Sequence, residues 1–128
     1  MRKSAIITAA STALLVLGTL TVAPTVSATE AAKKPTDPIA LGKIVAEDRS
    51  KGNCYACHGY EGASLAGTIA PPLGSWIQQK YKTKEALRAQ IWDATKANPN
   101  SRMITYGKHQ ILTEVEIDAV TEWTWSLK

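Results

Sequence analysis

The sequence predicts an all-α domain, and three observations carry that prediction. Three segments pair a helix-start signal with apolar residues at helical spacing. No segment alternates apolar and polar residues as a half-buried strand does. One long glycine- and proline-containing stretch separates the first helical segment from the others, and no internal repeat is present.

In chain order, residues 29–36 are a polar tether. Asp37-Pro38 then supplies an N-cap and a proline at the first helical position. Leu41, Ile44 and Val45 fall on one face of the helix this predicts, which should run to about Asp48. Residues 59–74, rich in glycine and containing Pro71-Pro72, predict an irregular loop. A second helix is expected from Thr83, with Leu87 and Ile91 one turn apart. It should stop before Asn98-Pro99, since a residue preceding proline avoids the helical region. The last helix is the clearest. Thr113 and Glu116 form a capping box, and Ile117, Val120 and Leu127 recur at near-helical spacing. Trp123 and Trp125 point to different faces of that helix, so one core stripe cannot bury both.

Composition narrows the class. A chain of 128 residues allows one ordinary domain, and 45% apolar with 20% charged residues is a globular balance. The formal charge of +4 comes without long Lys/Arg tracts, which argues against nucleic-acid binding. Two cysteines and two histidines exclude a disulfide-rich scaffold and leave few routes to a multi-ligand zinc site.

The first 28 residues read as a leader. Arg2 and Lys3 precede an uncharged stretch over residues 4–29, and Pro24 precedes the small-residue pattern Val26-Ser27-Ala28. The stretch is long enough to span a bilayer, but Ser and Thr interrupt it and no basic cluster follows, so cleavage after Ala28 is the expectation. The domain is then residues 37–128. Cleavage would leave 13 Lys and Arg against 11 acidic residues, one methionine (Met103), and both cysteines, in the oxidising compartment of the periplasm.

The chemistry sits at Cys54-Tyr55-Ala56-Cys57-His58. This C-x-x-C-H spacing attaches a c-type haem: two thiols add across the vinyl groups, and the adjacent histidine becomes an axial ligand. A thioredoxin-like redox pair would want a βαβ context, which is lacking. A zinc site would have only His109 left to recruit as a further His or Cys. A disulfide spanning four residues would close a strained loop. For the other axial position the candidates are Met103, His109, a lysine, or no protein ligand. Met103 lies in a loop between the second and last helices, and a thioether favours reduced iron. It is the preferred candidate, with His109 beside Lys108 expected at the surface. With both positions filled, substrate cannot reach the iron, and the group passes electrons.

Cys54-Tyr-Ala-Cys-His58, Ala70-Pro-Pro-Leu73, Met103 and the run from Gly107 to Val120 together resemble a class I cytochrome c. More narrowly, the Pro-Pro-Leu segment, the Asn98-Pro99 turn and Gly-x-His-x-Ile-Leu-Thr-x-x-Glu-Ile are similar to the SoxX family, mono-haem subunits of the SoxAX complex of bacterial sulfur oxidation. The resemblance covers most of residues 37–128. It implies the class I fold wrapped around one haem c, held by Cys54 and Cys57 and ligated by His58 and Met103, with the Pro71 carbonyl hydrogen-bonded to the axial imidazole. It also implies SoxA as heterodimer partner. The chain would then be the non-catalytic electron-accepting subunit of an L-cysteine S-thiosulfotransferase that joins thiosulfate to a cysteine of the SoxYZ carrier. A free-standing periplasmic shuttle is the alternative. It would present lysines around the haem edge, for which Lys80, Lys82 and Lys84 are candidates, whereas a permanent subunit would turn at least one of its large aromatics toward SoxA.

Overall fold

A computed structural model describes residues 35–128. The expected leader, residues 1–28, and most of the tether lie outside the described residues. The described chain is all-α, with four helices, two short 3-10 turns and no strand.

Helix α1 (Pro38–Glu47) starts as its sequence dictates. The Asp37 carboxylate accepts from the backbone N–H groups of Ile39 and Ala40 at 3.2 and 3.0 Å, and Pro38 occupies the first turn. Its buried stripe is Leu41, Gly42, Val45 and Ala46. Ile44, expected on that face, is 53% exposed. The reason is geometric. At ~100° per residue the stripe centres between Val45 and Gly42, because the two small residues let another helix come close, and Ile44 falls well outside that arc.

The helix that approaches is α4 (Glu114–Ser126). Its capping box forms as read: Thr113 Oγ1 accepts from the Glu116 N–H at 3.3 Å, and Glu116 accepts from the Thr113 N–H at 3.0 Å. Ile117, Val120 and Trp123 are buried and Trp125 is only half-buried, as the two-residue offset required. Leu127 does not extend the stripe. It is the extended C-cap, packed at the core margin.

The middle of the chain departs from expectation. A six-residue helix α2 (Trp76–Tyr81) lies where the sequence shows too few turns for periodicity to register. It ends at Lys82, whose φ of 62° is left-handed. Helix α3 (Lys84–Trp92) follows, capped by Thr83 and burying Leu87 and Ile91 as predicted. It stops several residues earlier than Asn98-Pro99 would require. Asp93 leaves the helix and turns its carboxylate onto the Thr95 N–H at 3.0 Å, capping a separate 3-10 turn, Ala94–Lys96.

One polar clamp ties the loop before the C-x-x-C-H motif to α4. The Lys51 ammonium donates to Glu116, which also takes the Thr113 N–H and hydroxyl. The Lys51 hydrogen bond is the main cause that holds the Glu116 carboxyl down to about 2, from an ordinary 4.5. The folded state therefore keeps Glu116 ionised where the unfolded chain would take up a proton. This contribution to stability is complete above about pH 5 and is lost as pH falls toward 2. In Lys51→Met the urea midpoint should fall less steeply between those limits than in the wild type. A parallel pH profile would show that the clamp does not operate.

Candidate haem site

All three motif groups are gathered by a single turn. Asn53 takes a left-handed conformation, φ 46°, and a 3-10 turn spans Cys54–Ala56. The Cys57 and His58 N–H groups both donate to the Cys54 carbonyl, at 3.2 and 2.9 Å. The glycine-rich loop then folds back over the motif: Gly67 donates to Tyr55, Ala70 to Cys57 and Leu73 to Gly59. Gly67 makes this return possible, because a Cβ there would stand 2.6 Å from both the Ala56 carbonyl oxygen and the Cys57 carbonyl carbon.

The returning loop delivers a carbonyl to the histidine. His58 Nδ1 lies 2.7 Å from the Pro71 oxygen. A carbonyl can only accept, so Nδ1 carries a proton, and in the neutral ring Nε2 is then the nitrogen with the lone pair. That is the tautomer a metal ligand needs, and the contact holds the ring plane. The next carbonyl, of Pro72, accepts from Trp76 Nε1 at 2.5 Å and fastens the same strap to α2.

His58 opens onto an apolar crevice of about 560 Å³, mouth included. Its walls include Leu73, Ile77, Leu87, Ile91, Leu112 and Val120, with Trp76, Tyr81 and Tyr106. Cys54, His58 and Met103 all line it, so residues 49 positions apart in the chain share one cavity. Cys57 is half-buried beside them and does not line it. His109 is exposed, with Nδ1 2.9 Å from the Thr105 hydroxyl, and stays out of the crevice. Tyr106 donates its hydroxyl to the Gly52 carbonyl at 2.5 Å, closing the wall behind Cys54.

These parts suit covalently held haem better than the other readings. Among the described residues no group of three or more His, Cys, Asp and Glu could hold a metal ion. Burial pushes the Cys54 thiol up to about 11, so at neutral pH it is uncharged in the metal-free chain. Two thiols, an imidazole with a free Nε2 and an apolar slot are what a c-type haem requires.

Comparison with known proteins agrees. The sequence profile of the family Cytochrome c matches residues 39–128. The chain belongs to the cytochrome c family. Over 95 residues, 68% of this chain, it is also 37% identical to the cbb3-type cytochrome c oxidase subunit CcoP of Azospirillum sp. (strain B510). The chain spans about a third of that relative's length, matching 32% of it.

As a cytochrome c, the chain carries covalently bound haem c; of its motif residues, Cys54 and His58 line the crevice and Cys57 lies beside it. Several contributors were not legible in sequence. Gly67 looks like any loop glycine until its backbone contact is seen. Trp76 and Tyr106 announce no partner. Gln90, on α3, reaches the crevice with its Nε2 4.0 Å from Met103 Sδ. Its place three residues after Leu87 and beside Ile91 was the available signal.

Proposed function

We propose that this cytochrome c holds one haem between His58 and Met103 and passes single electrons as the SoxX-type subunit of a SoxAX complex. The observation that supports the electron-transfer part is the convergence of one imidazole and one thioether on a single apolar crevice. His58 and Met103 would hold the haem, which when bound supplies a one-electron change at iron, and a thioether ligand would raise its potential, as suits an acceptor. The chain's own residues hold Nδ1 as the donor to Pro71, leave Nε2 as the ligand nitrogen, keep the crevice apolar and, with both positions filled, would deny substrate the iron. Joining thiosulfate to a cysteine thiol forms an S–S bond and releases one proton and two electrons. Those electrons would leave through this subunit one at a time, while bond formation belongs to SoxA and the carrier is SoxYZ. On this reading the chain alone is not an enzyme.

Two surface features favour a lasting partner over transient docking. Two of the three lysines expected to serve a shuttle make contacts within the chain. Lys84 pairs with Glu122 at 2.6 Å, and Lys80 lies 5.5 and 5.3 Å from the ring centroids of Trp76 and Tyr81. Near the motif, Leu65 and Ile69 on the returning loop are 64% and 70% exposed. The partner-facing aromatic proposed here is Trp125, which is half-buried on α4. A leader over residues 1–28 and the cytochrome c family fit an exported, periplasmic protein. No helix among the described residues is long and apolar enough to cross a membrane.

The second reading, a carrier that serves a respiratory oxidase, draws on the similarity to an oxidase subunit. Co-expression separates the two. A SoxAX subunit should co-elute with SoxA on gel filtration, and its haem should become reduced when thiosulfate and SoxYZ are added to the complex. A chain that elutes as a monomer despite SoxA is the shuttle. A chain that conjugates thiosulfate to the carrier by itself overturns its non-catalytic role.

A further inference from the structure

The loop that carries Met103 leaves α3 at Asp93 and returns to the same helix end. Gly107 and Lys108 both donate their N–H groups to the Trp92 carbonyl, at 3.1 and 3.3 Å. That carbonyl belongs to the last residue of α3, where the helix itself offers no donor. The Trp92 indole covers the same spot. A Cβ at position 107 would lie 2.1 Å from Trp92 Cδ2 and 2.3 Å from Cε3, so the ring rests directly on the glycine backbone. The ring is held in turn. The Arg88 guanidinium stands 5.3 Å from its centroid and donates to Asp118 of α4 at 2.5 Å. Lys108 adds an ion pair, its Nζ 3.7 Å from the buried Asp93 carboxylate.

We infer that Trp92 is a positioning residue for Met103: its indole and its carbonyl latch the returning end of the loop and hold the thioether at the crevice. The inference rests on the reading of Met103 as an axial ligand. Trp92 does not line the crevice, so it acts through the backbone. Only Ile104, Thr105 and Tyr106 stand between Met103 and Gly107. Thr105 and Tyr106 are buried, and the Tyr106 hydroxyl is tied to Gly52, so the segment has little slack and a shift at Gly107 carries to Met103. A thioether favours the reduced iron, so the oxidised state is where a slack loop lets go first. An external ligand binds only the fraction in which the loop has let go, and the latch keeps that fraction small. Gly107 is the other half of the latch, since a side chain there displaces the indole. Spacing alone makes Trp92 the neighbour of a core residue, Ile91; the return of Gly107 gives it a partner.

The test uses the haem-loaded full chain with Trp92→Leu, Trp92→Phe and Gly107→Ala. Leucine stays apolar but removes the flat ring, and phenylalanine restores one. The alanine pushes the indole away without replacing any crevice residue, and it tests the same contact should Trp92→Leu load haem poorly. The readouts are imidazole binding to the oxidised protein, the reduction potential, and hydrogen exchange of the Gly107 and Lys108 amides. Trp92→Leu and Gly107→Ala should bind imidazole about tenfold more tightly than the wild type, the scale of one lost aromatic contact. Their potentials should fall, and both amides should exchange faster. Trp92→Phe should recover most of the difference, and the double variant Trp92→Leu/Gly107→Ala should be no worse than the worse single one. Variants that lose thermal stability yet keep the wild-type imidazole affinity and potential overturn the inference and leave Met103 ligation standing. A wild type without the far-red sulfur-to-iron charge-transfer band overturns the ligation, and this role of Trp92 with it.

Discussion

Met103→Ala should abolish the far-red charge-transfer band of the oxidised holoprotein and lower its reduction potential by on the order of a tenth of a volt or more, a fraction of the ~0.8 V that axial ligation spans. The physical cause is the loss of a soft donor that favours the reduced iron. Met103 is the single thioether of the crevice, and His58 is its single imidazole. The replacement also opens a coordination position inside an apolar wall, so added imidazole or cyanide should bind the variant and leave the wild type unchanged. His109→Ala is the matching control. That ring is exposed and bonded to Thr105, so its removal should leave band and potential as they were. If Met103→Ala kept the band, the sulfur assignment would fall.

Gly42→Ala should cost about 3–5 kcal/mol, near the upper end for single substitutions. Helix propensity predicts the opposite sign, since alanine is the better helix former by about 1 kcal/mol. Packing decides it. A Cβ at position 42 would fall inside the Ala119 carbonyl oxygen of α4 and 2.7 Å from Trp123 Cβ. A carbonyl in the middle of a helix cannot swing aside, so α1 and α4 would have to separate along their whole contact. For a domain of this size that corresponds to a fall in Tm of roughly 10–25 °C, measurable by calorimetry on the haem-loaded protein. A Gly42→Ala variant within about 0.5 kcal/mol of wild type would show that the two helices do not cross so closely.

Both effects show where sequence reasoning holds and where it stops. Local chemistry was legible because each signal acts over a few residues. Asp37-Pro38 and the Thr113–Glu116 box start helices by satisfying backbone N–H groups one turn away, and both do so in the structure. The membership of Leu87 and Ile91 in the core follows from one turn of spacing. The same short range explains the misses. Ile44 was placed by period alone, yet the position of the buried stripe depends on which neighbour the small residues Gly42 and Ala46 admit. Helix α2 is too short for a period to emerge, and α3 ended at Asp93 because a side chain outcompeted the next helical hydrogen bond.

The site divides in the same way. Covalent spacing is a property of the chain, so C-x-x-C-H by itself pointed to haem c, which the cytochrome c family bears out, and named Cys54, Cys57 and His58 as the residues expected to hold it. The scarcity of other donors narrowed the second axial position to a few candidates, Met103 foremost. Which of them faces His58's crevice is a question about residues far apart in sequence, and packing answered it: Met103 lines the cavity, and His109 lies outside it. The same holds for the supporting contacts. That Pro71 meets His58 was expected only by resemblance, and the distance of 2.7 Å follows from a loop return that Gly67 permits. That Gln90 meets Met103 was not legible at all, because two side chains 13 positions apart on different elements become neighbours only when the core closes between them.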